Sequence, residues 1–296
     1  MNGILNILKP PFMTSHDVVS YIKKLLNVKK AGHTGTLDPM AAGVLPVTLN
    51  KATRICEYLV NDKKSYRAEM SLGFRSDTLD KWGNVESLPS AAISKDLLID
   101  TLKKFEGEIY QTPPMYSAVK VGGRKLYELA REGIVVKIEP RKVYIHEIKL
   151  VDFKGSNVMF DVTCSKGTYI RSLCSDIGKC LGSDAVMTFL IRRSTGPFSI
   201  DDSITLYELK EAVEKGEVEK MLYPIEYGLC KYTRVYVDSK TARKVKNGVG
   251  FDIMEALKSE IREFDDIVLV FDESKNFIAS ARNDKNGFVK ICKVFL

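Results

Sequence analysis

Two hydrophobic periods alternate along this chain. From residue 15 to 26 apolar side chains recur at Val18, Val19, Ile22, Leu25 and Leu26, the spacing of one helix face, and Thr14 or Ser15 is placed to cap its start. Residues 65–72 instead set Tyr66, Ala68, Met70 and Leu72 against Arg67, Glu69 and Ser71, the period of a strand with one buried side. Tyr66 therefore belongs to a core-facing row. Shorter apolar runs predict strands at 3–8 and 44–49. Helical spacing predicts helices at 53–60 and at 94–105, where Leu97, Leu98, Leu102 and Phe105 share a side. Residues 143–153 and 158–164 read as neighbouring strands joined through Gly155-Ser156-Asn157, a turn-forming run. A helix over 169–181, stopped near Gly182, puts Arg171 in its first turn.

Hairpins and helices mix here without regular strand–helix–strand alternation, which predicts an α+β fold on a mixed, mainly antiparallel sheet. A charged helix is expected over 205–221. The pattern changes near residue 231, after which short strands (235–237, 267–271, 277–279, 288–294) surround a helix at 240–247 that ends at Gly248. This predicts a main unit over 1–230 and a small β-rich unit over 231–296.

The composition suits such a fold. Of 296 residues, 45% are apolar, and the net charge of +7 leans toward a polyanionic partner. The surplus is concentrated. Between Met115 and Lys142 stand Lys120, Arg124, Lys125, Arg131, Lys137, Arg141 and Lys142 against Glu128, Glu132 and Glu139, with Tyr116 and Tyr127 among them. Cations track phosphates and aromatic faces stack on bases. Leu126, Leu129 and Ala130 also have helical spacing, so a docked helix with its basic side outward is expected, laced by pairs such as Arg124–Glu128. The six cysteines form no Cys-x-x-Cys pair and His16, His33 and His146 are scattered, which gives no zinc spacing. No apolar run reaches transmembrane length, and no secretory signal precedes Pro10-Pro11. A reduced, cytoplasmic protein is expected.

The candidate chemistry lies in Gly32-His33-Thr34-Gly35-Thr36-Leu37-Asp38-Pro39. Glycines permit close backbone approach, and Pro39 restrains Asp38. Such a polar, rigid loop between core-forming segments is a common seat of function. On residue types alone Asp38 could be a nucleophile, a base, a metal ligand or a cap. No phosphate-binding Gly-rich loop and no Gly-x-Ser-x-Gly elbow occurs.

The stretch from Gly32 to Pro46 resembles the catalytic motif of the bacterial tRNA pseudouridine synthase B family. Further blocks resemble that family in order over residues 9 to 198: Lys9-Pro10 with Thr14-Ser15-His16-Asp17, Lys64-Ser65-Tyr66, Asp77-Thr78-Leu79-Asp80 with Gly83, Pro114 to Lys120 with Gly123-Arg124-Lys125-Leu126-Tyr127, and Cys164 to Arg171. The resemblance implies a pseudouridine synthase domain with an RNA-gripping insertion at about 110–142 and a PUA-like RNA-binding domain at the C-terminal end. It implies conversion of the T-loop uridine of tRNA, position 55, to pseudouridine, with no cofactor and no metal. The N1–C1′ bond is cut, the uracil turns, and it is rejoined through C5. Asp38, Tyr66 and Arg171 align with the catalytic groups. His33, Tyr169, Lys9 and Lys166 align with groups that hold the uridine or its surroundings, and Leu190 with Ile191 with an apolar wall. Lys120, Arg124, Lys125, Arg131, Arg141 and Lys142 would contact the T stem-loop. A guanidinium beside a desolvated carboxylate favours its charged form and aims it.

One position departs from the family pattern. Phe12 stands where glycine is usual, which implies either a strained residue or a remodelled turn. His16 reads as a helix N-terminal residue and His146 as a strand residue outside the site. Two other readings are compatible with the residues: an RNA-binding or tRNA-folding protein in which catalysis is secondary, and a glycosidic hydrolase, which would need Asp77 or Asp80 as a second carboxylate.

Overall fold

The alternating run around Tyr66 becomes an inner strand of a nine-stranded sheet in the computed structural model, which describes residues 1–60, 62–89, 92–259, 266–284 and 286–295. In chain order the elements are β1 (Gly3–Lys9), α1 (Ser15–Leu25), β2 (Ala31–His33), β3 (Ala42–Leu49), α2 (Cys56–Leu59), β4 (Lys64–Leu72), a hairpin of β5 (Phe74–Ser76) and β6 (Val85–Ser87), α3 (Lys95–Lys104) and β7 (Gly107–Gln111). A small hairpin follows, β8 (Lys120–Val121) with β9 (Arg124–Lys125), then α4 (Leu126–Arg131), β10 (Arg141–Lys154), β11 (Asn157–Cys164), α5 (Ile170–Cys180), β12 (Ala185–Thr195), β13 (Phe198–Ser199) and α6 (Leu206–Lys215). The sheet runs β1-β3-β12-β4-β11-β10-β7, with β2 beside β3 and β13 beside β12.

Every pairing in this sheet is antiparallel except a short parallel contact of Ala42 and Gly43 with Ile191 and Arg192. That crossing requires glycine: at Gly43 φ is 117° and an added Cβ would fall 2.2 Å from the Arg192 carbonyl oxygen. The mixed, mainly antiparallel sheet is therefore as expected. The main core forms where Ala68, Met70 and Met187 pack with Phe160, Val162, Leu173, Cys174 and Ile177. A second cluster seats α1 and α6 against β1 and β3 through Val18, Ile22, Leu209, Leu5 and Leu45.

Several expectations need correction. Residues 53–60 are not one α-helix but a 3-10 segment, Asn50–Ile55, followed by the single turn of α2. The helix expected to reach 221 stops at Gly216, whose left-handed φ of 69° closes α6, and a 3-10 turn Val218–Met221 follows. β12 has no clean alternation in sequence because its ladder with β4 shifts register between Met187 and Phe189 and again between Arg192 and Ser194. Each shift changes which side the next residue faces. Thr14, rather than Ser15, caps α1, in a reciprocal pair with Asp17.

Past residue 231 a separate sheet is built from β14 (Thr233–Val237), α7 (Ser239–Lys246), β15 (Phe251–Asp252), β16 (Ala256–Ser259), β17 (Ile267–Asp272), β18 (Phe277–Asn283) and β19 (Phe288–Val294), in the order β15-β19-β18-β17-β14-β16. Positions 260–265 of that unit lie outside the described residues. It joins the main body through Leu269, Phe271 and Phe295, which cluster with Ile55, Leu59, Phe198 and Leu229, and through Arg54, whose Nη1 donates to the Val294 carbonyl at 2.7 Å. Among the described residues no helix is long and apolar enough to cross a membrane.

Candidate active site

Three segments meet at one guanidinium. Arg171, in the first turn of α5, is 5% exposed at its side chain. Its Nη2 donates to Asp38 Oδ1 at 3.2 Å, and its Nε lies 2.9 Å from Oδ2 in an ion contact that lacks hydrogen-bond alignment. Nη1 donates to the Thr78 carbonyl at 3.1 Å, and Nη2 also to the Tyr116 carbonyl at 2.9 Å. One side chain thus ties together the 32–39 loop, the 77–84 loop and the basic insertion. A charge buried this far must be paired and hydrogen-bonded, and Arg171 is.

Two carboxylates approach this cation and differ in what holds them. The Asp38 side chain is 38% exposed. Asp80 is 14% exposed, and its Oδ1 accepts from Thr78 Oγ1 at 2.7 Å and from the Trp82 amide at 3.0 Å. Its Oδ2 stands 3.9 Å from Arg171 Nη1. Asp80 is built into the wall, while Asp38 presents an accessible oxygen to the cleft. The Asp80 loop is itself sharply folded. Leu79 has a left-handed φ of 62°, and a Cβ at Gly83 would fall 2.2 Å from Asp77 Oδ1, so the motif needs glycine there for space.

Beneath the loop lies Lys9. Its side chain is fully buried, and Nζ donates to the carbonyls of Pro10 at 2.8 Å, Met13 at 2.5 Å and Pro39 at 3.1 Å. Burial pushes its pKa down to about 8, with Asp38 opposing the shift. Lys9 stitches the 10–13 turn to the Asp38 loop and does not line the cleft, which corrects its expected contact with substrate. Phe12 keeps the left-handed conformation that glycine would favour, with φ at 68° and a side chain 75% exposed, while its amide donates to the Pro39 carbonyl at 2.9 Å. The turn is strained, not remodelled. Ser15 adds a further tie: its Oγ accepts from the Leu37 amide at 2.9 Å and donates to the Leu37 carbonyl at 3.2 Å.

The cleft in front of Asp38 has a volume of about 610 Å³, within the range of small-ligand sites. Asp38, Arg171 and His33 border it, as do Lys125, Tyr127 and Arg131 of the insertion. His33 Nδ1 accepts from the Gly35 amide at 3.3 Å. Burial lowers its pKa, with Arg192 and His16 adding to the effect, so it is a neutral ring at pH 7. His16 also borders the cleft, beside Thr36, Met40, Trp82 and Tyr116, although the sequence pattern alone puts it outside the site. Its place at the start of α1, next to the capping Thr14, is the signal for its proximity, because Ser15 pulls that turn onto the Asp38 loop.

Other expected site residues stand elsewhere. Tyr66 is buried behind the cleft, where burial pushes its phenol up and the adjacent Arg192 opposes the rise. Leu190 pairs with Ala68 and faces the core, whereas Ile191 pairs with Arg67 and points to the opposite side of the sheet. The two cannot form one wall. Tyr169 stands just before α5 without a side-chain capping bond, and its backbone exchanges hydrogen bonds with the Gln111 side chain at 2.7 and 3.0 Å. Lys166 is exposed in the turn before it. Neither borders the cleft.

The insertion folds as expected around a helix that buries Leu126 and Leu129. Its two-residue turn uses Gly122 and Gly123 with φ of 59° and 85°, the conformation that a tight hairpin demands. Arg124 pairs with Glu132, not with Glu128. Lys125 donates to the Tyr127 hydroxyl at 3.2 Å, and Arg131 stands 5.5 Å from the Tyr127 ring centre. Lys120 and Arg124 lie on the exposed hairpin. Arg141 and Lys142 begin β10, outside the cleft, where Lys142 pairs with Glu108 at 2.8 Å.

Comparison with known proteins gives a consistent result. The profile of the TruB family pseudouridylate synthase (N terminal domain) matches residues 23–170, and that of the tRNA pseudouridylate synthase B C-terminal domain matches 171–230. The chain is 44% identical to the tRNA pseudouridine synthase B of Clostridium tetani over 100% of both chains. It is 50% identical to that of Alkaliphilus oremlandii over 84% of this chain and 82% of the other. A chain in a Cbf5–Nop10–Gar1 complex superposes with a TM-score of 0.78 at 32% identity, covering 99% of this chain and 85% of that one. A chain of an H/ACA RNP bound to a substrate RNA containing 2′-deoxyuridine gives 0.78 at 30% identity, with the same coverage. The C-terminal sheet resembles a PUA-type domain.

Proposed function

The chain belongs to the TruB family of tRNA pseudouridine synthases, and on that premise we propose that it isomerises the T-loop uridine at position 55 of tRNA with Asp38 as the essential carboxylate. Isomerisation of uridine in tRNA is the activity of the family and of this chain. The reaction balances without a co-reactant. The N1–C1′ bond breaks, the C5–C1′ bond forms, the proton on C5 is lost and N1 gains one.

The observation that carries this reading is the contact of Arg171 with Asp38 at the edge of the cleft. A fixed cation aims the carboxylate, and a preorganised charge costs no rearrangement during reaction. Asp38 then serves as the nucleophile or assists departure of the base. Tyr66 does not border the cleft; as a buried phenol with a raised pKa it stays neutral in the core row that backs the site. His33, an uncharged ring at the cleft edge, is placed to stack where the uridine leaves its neighbours. Extruding that nucleotide costs a few kcal/mol, offset by contacts in the cleft and by the cations of the insertion.

Lys125, Arg131 and Tyr127 border the same cleft, which supports the T stem-loop as the element gripped. Shape and a few splayed bases carry specificity in RNA recognition of this kind. The second unit, 231–296, is assigned as a PUA-like domain contacting another part of the tRNA, in a cytoplasmic enzyme. The test is mass-spectrometric mapping of pseudouridine in a T stem-loop transcript incubated with the pure protein and no additive. Modification at position 55 alone is expected. Modification elsewhere, or none, refutes the assignment.

A further inference from the structure

Behind the Asp38 loop sits a cation that does not border the Asp38 cleft. Arg192, on β12, is 1% exposed. Its Nε donates to the Val44 carbonyl at 2.7 Å and its Nη2 to the Gly35 carbonyl at 3.0 Å. Those two carbonyls lie on either side of Asp38, at the start of β3 and inside the loop. Its Nη1 has no hydrogen-bond partner among the described residues. The close crossing at Gly43 leaves the Arg192 backbone no freedom to withdraw.

A buried donor left unmade is expensive, and in a native protein it calls for an explanation. Packing does not supply one, since the neighbouring buried lysines are satisfied by carbonyls. Lys9 bonds three, and Lys64 bonds those of Val60 at 3.1 Å and Asp62 at 2.8 Å. Arg192 pairs across the sheet with Tyr66, so the two side chains share a face. On that face the guanidinium opposes the rise that burial gives the Tyr66 phenol.

We propose that Arg192 is a positioning residue for the isomerisation: it clamps the Gly35 carbonyl, and with it the arc from His33 to Asp38, and offers its unpartnered Nη1 to the Tyr66 hydroxyl, so that the buried phenol braces the guanidinium behind the Asp38 loop. One planar group thereby sets the carboxylate loop and the aromatic residue in a fixed relation. Lysine cannot replace it, because a single ammonium does not reproduce three divergent donors. This inference rests on the role given above to Asp38.

The test compares Arg192→Lys, Tyr66→Phe and the double variant on full tRNA, with kcat and KM measured separately. Arg192→Lys is expected to lower kcat at least tenfold with KM within about twofold. The double variant should be no slower than the slower single variant, because the two residues act as one unit. Fully additive losses, or a change confined to KM, would overturn the proposal, since a purely structural arginine gives no coupling to the phenol. Should Arg192→Lys not fold, the arginine side-chain nitrogen NMR signals of wild type and Tyr66→Phe decide the matter. The Arg192 Nη resonances should shift, and unchanged resonances overturn the proposal. That comparison needs no turnover, so it is independent of whether wild type modifies the T stem-loop, which tests the parent reading.

Discussion

The 32–39 loop and the insertion at about 110–142 face each other across one cleft and are held in opposite ways. The loop is fastened from behind by Lys9, Arg192 and Ser15, all fully or almost fully buried, each bonded to its backbone or that of a flanking strand. The insertion buries two leucines of a short helix and is joined to the body mainly by Gln111, Thr112 and Tyr116 at the start of α5. Its hairpin is open to solvent. The contrast separates chemistry from grip. A catalytic carboxylate must be placed accurately against the reacting group and gains from rigidity, whereas phosphate contacts depend on charge and tolerate movement.

Arg171 belongs to both regions, so changing it is the most damaging way to test the contrast. Arg171→Lys keeps the charge but cannot reach Asp38, Thr78 and Tyr116 together. We expect kcat to fall on the order of a hundredfold or more, the scale of losing one preorganised electrostatic interaction, as measured by single-turnover pseudouridine formation. A loss below fivefold would mean that the pair is not central. Replacing Lys120, Arg124 and Lys125 by Ala should act the other way. Tm should stay within a few degrees, tRNA affinity should fall on the order of tenfold, and the slope of log K against log salt should become shallower by about 1 for each phosphate that is no longer neutralised. An unchanged slope in filter-binding assays would show that this patch does not meet the RNA backbone.

How far these two regions can be read from sequence also differs. Strands with strict alternation, such as β4, and helices with a cap and one apolar face, such as α1 and α3, are legible because local pattern and tertiary burial agree. β12 is not, since two register shifts scramble its parity. That Ile191 faces away from Leu190 follows from the ordinary alternation of neighbouring strand residues, since both shifts fall outside this pair. The partnership of Asp38 and Arg171 is legible through the family motifs. The approach of Asp80, Trp82 and the Tyr116 carbonyl is not, because loops distant in sequence meet only after the sheet has formed. Lys9 shows a third case: its presence is visible in the motif, but its role as a buried tie to three carbonyls is a tertiary fact.

Smaller effects sharpen the rigid side of the comparison. The ammonium of Lys64, like that of Lys9, is pushed down to about 8 by burial. Below that pH the native and unfolded chains are both protonated and the cost of the buried charge is present in full. Between about 8 and 10.5 the native chain has released protons that the unfolded chain keeps, so the contribution of these groups to stability rises with pH. Denaturant titrations from pH 7.5 to 10 should give a shallower pH slope for Lys64→Met than for wild type, by at most about 1.4 kcal/mol per pH unit. An identical slope would show that Lys64 titrates normally.

Phe12→Gly should change least. Relief of the left-handed strain, about 1 kcal/mol, is partly offset by the greater freedom of glycine in the unfolded chain. A small rise in Tm with unchanged kcat is expected. A drop in Tm on thermal melting would show that the Phe12 ring contributes more than its exposure suggests.

Asp38→Asn keeps the shape of the side chain and removes its charge, in a protein whose grip on RNA is proposed above to lie on the insertion. Pseudouridine in tRNA, quantified by mass spectrometry after prolonged incubation, should be absent while tRNA affinity stays within a few-fold of wild type. Conversion at the wild-type rate by this variant would contradict the account at its centre.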